Sequence, residues 1–86
     1  MKNLSVLRSN IDKIDQKILL LIKKRLEIAK KIGQVKKENK LPIKDIIREK
    51  EIIDKKMSAA KKLNIPSDLI KKIYMPLLTE SRRIQK

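Results

Sequence analysis

Between Leu4 and Val35, ten positions recur at alternating spacings of three and four residues. They are Leu4, Leu7, Ile11, Ile14, Ile18, Leu21, Arg25, Ile28, Ile32 and Val35. This is a heptad seam, and its period fits a helix and not a strand. A helix from about Ser5 to Asn39 would be roughly 50 Å long at ~1.5 Å per residue. That is too long for a compact monomer of 86 residues, so the seam predicts a structure shared between two chains. Nine of the ten seam positions are aliphatic and the tenth is Arg25. A guanidinium in an apolar seam is costly without a partner. The seam should therefore hold a carboxylate, or a space that receives one.

The rest of the chain reads as two shorter helices. Ser5 or Asn3 is a candidate cap for the first helix, and Gly33 interrupts it at a cost of ~1 kcal/mol. Asn39-Lys40-Leu41-Pro42 ends it, because Pro42 disfavours helical backbone at Leu41. Asp45 is a good N-cap for a second helix from Ile46 to Leu63, with Ile46, Ile53, Met57 and Ala60 on its inner face. Asn64-Ile65-Pro66 is the next break. Ser67 is the expected cap of a third helix from Asp68 to about Ile84, with Ile70, Ile73, Tyr74, Leu77 and Leu78 facing inward. Pro76 falls inside that helix and should kink or open it, since it removes a backbone donor and crowds the carbonyl of Lys72. The fold class expected is all-α, with one long and two shorter helices per chain in an intertwined homodimer. Residues 1–86 form one domain.

Composition narrows the chemistry. One Tyr and no Phe or Trp leave the core to aliphatic residues, and so small a helical core commonly gains stability by association. There is no Cys and no His. Thiolate and imidazole chemistry are thereby removed, and a metal would need carboxylates alone, of which no cluster has calcium-loop spacing. Net charge is +14, from 24 basic and 10 acidic residues. Nineteen of the cations are Lys, spread along the chain as on a solvated surface, while the five Arg are more selectively placed. No apolar run approaches the ~20 residues of a membrane span. The start, Met1-Lys2-Asn3-Leu4, lacks the apolar stretch of a secretion signal. A cytoplasmic location without a membrane partner is the expectation.

Several polar residues border the apolar faces. Lys36 lies eleven residues beyond Arg25, near the same helix face and ~16 Å along the axis. Glu49 interrupts the inner stripe of the second helix between Ile46 and Ile53, though an acid in a first turn is also favoured by the helix dipole. Ser81 and Gln85 continue the inner stripe of the third helix. Arg48 fits a surface role as well as a site role. Arg8 lies seventeen residues before Arg25, ~25 Å along one helix, and cannot share a small ligand with it in one straight subunit. In an antiparallel pair with its two-fold axis near Leu19, Arg8 of one chain comes level with residue 30 of the other. That arrangement makes two equivalent sites, each with three cations, a carboxylate, a hydroxyl and an amide. Such a pocket suits a small dianion bearing a hydroxyl. It is equipped for binding and electrostatic stabilisation, not for multi-step acid–base work.

These residues resemble the all-helical (AroQ) class of chorismate mutase. The resemblance runs through nearly the whole chain. Its motifs are Leu7-Arg8 with Ile11, Ile14-Asp15 and Leu20-Leu21, then Arg25 with Glu27, Ala29, Gly33 and Lys36. Pro42-Ile43-Lys44-Asp45-Ile46-Ile47-Arg48-Glu49 follows, and then Glu80-Ser81 with Gln85. Each motif is weak alone, and the ordered set is strong. The resemblance implies an entwined helical dimer and the Claisen rearrangement of chorismate to prephenate, toward phenylalanine and tyrosine, with no cofactor. By similarity, Arg25 and Arg8 supplied in trans bind the two carboxylates, and Lys36 and Gln85 reach the ether oxygen. Glu49, with the backbone near Asp45, holds the ring hydroxyl. Ser81 sits beside a carboxylate, and Arg48 helps organise the site.

Three other readings compete. An isochorismate–pyruvate lyase on the same scaffold would use a similar cationic pocket. A basic helical dimer binding nucleic acid would explain the charge, but the chain has no aromatic platform and no helix-turn-helix pattern, so a nucleic-acid partner is not expected. A purely structural coiled coil would accommodate Arg25 as a register-setting residue. It leaves Lys36, Glu49, Ser81 and Gln85 unexplained.

Overall fold

The structure, a computed structural model, describes residues 2–86. Three helices follow one another: α1 (Lys2–Glu38), α2 (Ile46–Lys62) and α3 (Ser67–Gln85). The fold is all-α, as expected. Helix α1 spans 37 residues, ~55 Å at the standard rise, and it sets the 58 Å long dimension of the molecule. The radius of gyration is 16.4 Å, against roughly 12 Å for a compact chain of this length. Helix α3 packs against both α1 and α2, while α1 and α2 do not pack on each other.

The seam of α1 is exposed. Its nine aliphatic residues are each between 44% and 62% exposed in the single protomer. The hydrophobic core among the described residues consists of Ala29, Ala60 and Leu78. Two of these three are alanines, so their burial contributes little, and among the described residues no large side chain is completely enclosed.

Both interhelical turns are the same device. Lys40 is left-handed, with φ 55°. The Leu41 N–H donates to the Lys36 carbonyl at 2.7 Å, and the Lys40 N–H to the Lys37 carbonyl at 3.3 Å. That is a Schellman turn, which satisfies carbonyls that the helix end leaves open. Asn64, with φ 58°, repeats it after α2. There Ile65 donates to Ala60 at 2.8 Å and Asn64 to Lys61 at 3.3 Å. Pro42 and Pro66 follow the two turns and prevent either helix from resuming. Asp45 caps α2 as expected: its Oδ1 accepts from the Arg48 N–H at 3.0 Å.

Four local expectations need correction. Helix α1 begins before Asn3 and Ser5, so neither residue caps it; nothing from residue 2 to residue 5 breaks the helix, and Leu4 already belongs to the apolar stripe. Ser67 is the first residue of α3 and not its cap. Pro66 takes the cap position with φ −58° and ψ 129°, and its carbonyl accepts from the Ile70 N–H at 3.4 Å. Ile46 and Ile73, both expected to face inward, are 67% and 44% exposed in the single protomer; at the start of α2 the ion pair to α3 joins Glu49 to Arg82. Helix α3 runs without interruption through Pro76. Pro76 and Lys72 both lie on the exposed side of α3, where water can reach the carbonyl deprived of its donor. Ser81 and Gln85 therefore stay in register with the inner face.

Candidate active site

Seven of the eight residues singled out by sequence line one cavity of about 280 Å³. Helix α1 contributes Arg25 and Lys36, and the start of α2 contributes Asp45, Arg48 and Glu49. Helix α3 contributes Ser81 and Gln85. Apolar walls come from Ala29, Ile32, Ile43, Ile52 and Leu78. The eighth residue, Arg8, is exposed on the N-terminal part of α1, in a shallow depression with Leu4 and Asp12.

Arg25 is half-buried, and no carboxylate lies within ion-pair distance of it among the described residues. Its Nη1 donates instead to the Ser81 Oγ at 2.7 Å. Ser81 is buried, and its own hydroxyl proton goes to the Leu77 carbonyl at 2.8 Å. The Ser81 oxygen therefore faces Arg25 purely as an acceptor and fixes the guanidinium at the cavity wall. Of the two outcomes allowed for a cation in the seam, the protomer has the open space.

Lys36 is held by the turn that ends its own helix. Its carbonyl accepts from Leu41, while its Nζ donates to the Ile43 carbonyl at 2.7 Å and to the Gln85 Oε1 at 2.9 Å. An ammonium has three donors, so one remains for a ligand. Gln85 accepts through Oε1, which leaves its Nε2 group as a donor. Charged and amide donors are thus placed side by side, a suitable arrangement for an oxygen that gains negative charge.

Gly33 makes this placement possible. A Cβ there would lie 2.6 Å from the Gln85 Cα and 2.8 Å from the Gln85 carbonyl oxygen. Two backbones meet at this point, so the obstruction cannot be relieved by a side-chain rotation. Gly33→Ala sets two effects against each other. Helix propensity favours Ala by ~1 kcal/mol, while overpacking costs ~1–3 kcal/mol. With backbone atoms as the obstacle, overpacking should win. Thermal unfolding is expected to show a lower Tm for Gly33→Ala, and a raised Tm would disprove the close-approach role.

Two cavity residues escaped the sequence reading: Ile52, on the apolar wall, and Arg82. Arg82 lines the site, with its Nε 3.5 Å from the Glu49 Oε2. Its neighbour Arg83 turns outward and donates from Nε to the Glu80 Oε1 at 2.9 Å. That hydrogen bond holds the Glu80 carboxyl below the usual carboxylate range. Glu80 is therefore occupied by Arg83 outside the cavity.

Known proteins resemble this chain along nearly its whole length. The family model described as chorismate mutase type II matches residues 7–86. A chorismate mutase from Methanocaldococcus jannaschii is 35% identical over 85 residues, which cover 99% of this chain and 86% of that protein. A bifunctional chorismate mutase/prephenate dehydratase from Buchnera aphidicola is 37% identical over 84 residues, or 98% of this chain and 22% of that protein. The chain thus spans about a fifth of the length of that two-activity relative. A solved structure of a conserved hypothetical protein from Pyrococcus furiosus superposes with a TM-score of 0.80 and 40% identity, covering 100% of this chain and 99% of that one. With a family model covering nearly its whole length and a relative similar from end to end, this chain belongs to the chorismate mutase type II family, a family of isomerases.

Proposed function

We propose that this protein rearranges chorismate to prephenate as a homodimer with two equivalent sites, each completed by Arg8 of the partner subunit. The observation that carries the chemistry is the convergence of Arg25, Lys36, Glu49 and Gln85 on one partly enclosed cavity. The cavity is close to the ~300 Å³ lower end of the range for small-molecule sites. The dimer is supported by the seam, whose nine aliphatic residues are otherwise left to water. An unpartnered apolar stripe of that length is unfavourable on a single chain of such small core.

The reaction breaks a C–O bond and forms a C–C bond within one molecule, with no net proton or electron transfer. Negative charge develops on the ether oxygen as positive charge spreads over the ring fragment. Lys36 and Gln85 donate to that oxygen. Arg25 and Arg8 of the partner subunit hold the two carboxylates, so that the enolpyruvyl arm stays near the ring carbon it must attack. Ser81 steadies Arg25. Glu49, with the backbone near Asp45, holds the ring hydroxyl, and Arg48 helps organise that end of the site. Donors already fixed by Ser81, Gln85 and the Ile43 carbonyl need little reorganisation as charge develops.

No helix among the described residues is long and apolar enough to cross a membrane, and a cytoplasmic location accompanies the proposed activity. The deciding experiment follows the loss of chorismate absorbance with purified protein and identifies the product by chromatography. Prephenate formed without added metal or cofactor is the expected result. A well-folded dimer that leaves chorismate untouched would overturn the proposal.

A further inference from the structure

We infer that Arg82 is the positioning residue of Glu49: it holds the carboxylate at the ring-hydroxyl end of the cavity and away from the cations that bind the substrate's own carboxylates. This rests on the chorismate reading above. The Arg82–Glu49 pair differs from every other ion pair among the described residues. It joins two helices, whereas Lys23–Glu27, Arg48–Glu51 and Arg83–Glu80 each span three or four residues of one helix. It is also the most shielded, with side chains 31% and 23% exposed.

The charges in the cavity explain what such a pair does. Arg25, Lys36, Arg48 and Arg82 line the cavity with only two acids, Asp45 and Glu49, and Arg48 also pairs with Glu51, which is not part of the lining. The Asp45 side chain is committed to the Arg48 N–H. Glu49 is the remaining carboxylate in a strongly cationic space. Arg25 and Lys36 donate to neutral acceptors: the Ser81 hydroxyl, the Ile43 carbonyl and the Gln85 amide. Hydrogen bonds to charged acceptors are stronger, so an arriving carboxylate competes well for these two cations. If Glu49 swung toward either of them, it would occupy that place. Glu49 pairs with Arg82 and, among the described residues, makes no ion pair with Arg25 or Lys36, so both cations stay available to the substrate.

The pair has room to tighten. The Arg82 Nε is shielded from solvent and makes no hydrogen bond, although the Glu49 Oε2 is 3.5 Å away. A shielded donor beside an acceptor favours any small movement that aligns them. A ligand hydroxyl bound to Glu49 fixes the carboxylate and so allows this alignment.

The test is a double-mutant cycle on the 86-residue chain, comparing the unmodified chain with Arg82→Ala, Glu49→Gln and the double variant, and adding Arg82→Lys. Arg82→Ala should lower kcat about tenfold to thirtyfold with KM changed less than about threefold, the size of a lost side-chain coupling. Arg82→Lys should return kcat to within about threefold, since its ammonium also reaches Glu49. In the Glu49→Gln background, Arg82→Ala should cost less than about twofold. An equal loss in both backgrounds would overturn the inference, as would a raised KM at unchanged kcat or no rescue by Lys. Thermal unfolding of the same proteins separates this inference from the functional one. Sub-additive Tm losses support the hold of Arg82 on Glu49, and additive losses reject it, whether or not chorismate is consumed. Inactivity of the unmodified chain would instead reject the chorismate reading.

Discussion

Lys36→Ala should lower kcat for chorismate by about several hundredfold while leaving the protein folded, because removal of one preorganised donor to a developing oxyanion costs ~3–4 kcal/mol. Two features make the expected loss large. The ammonium is fixed by the Ile43 carbonyl and Gln85, so it meets the transition state without first having to be ordered. It also orients Gln85, so one substitution disturbs both donors proposed for the ether oxygen. The fold should tolerate the change. Lys36 is only half-buried, and water entering an open cavity can satisfy the two acceptors it leaves. Circular dichroism should be unchanged, and the loss should fall on kcat more than on KM, since the charge on the ether oxygen exists only in the transition state. A Lys36→Ala protein with near-normal turnover would rule out the electrostatic mechanism.

Much of this arrangement was legible because helices write their packing at a fixed period. The heptad spacing from Leu4 to Val35 defines α1, and the polar interruptions at Arg25 and Lys36 mark where its face opens into a cavity. Pro42 and Pro66 locate both turns, and Asp45 locates the start of α2. What escaped depends on distances between helices, which a single-helix pattern does not encode. Gly33 reads as a weak point in α1 until α3 is seen to cross there against Gln85. A signal was available, since Ala29 and Gly33 form a small-residue step four apart on the face that also carries Lys36. Arg82 was hidden beside Arg83 near the end of the chain. Its spacing, four after Leu78 and three before Gln85, places it on the inner face. Pro76 misled in the opposite direction. Proline's cost depends on whether water can reach the carbonyl it deprives, and that follows from which side of α3 faces out.

Mixing two inactive variants should restore activity if Arg8 completes its neighbour's site. Arg8→Ala and Arg25→Ala are each expected to be nearly inactive, since each removes one of the two proposed clamps on the substrate carboxylates. Within one protomer the two residues are ~25 Å apart along a single helix, and Arg8 lies outside the cavity that contains Arg25. Suppose the two variants are unfolded together, refolded in equal amounts and allowed to pair at random. About half of the dimers are then hybrids, and each hybrid has one site with both arginines and one site with neither. Activity should therefore recover to about a quarter of the unmodified level. Co-refolding is needed because nine aliphatic seam residues on each chain would make exchange between native dimers slow. A protein in which both arginines served the same chain's site would give hybrids with two defective sites and no recovery. The experiment thus distinguishes a shared site from a stable dimer of independent sites, because both would have the same size in solution and only the shared site regains activity.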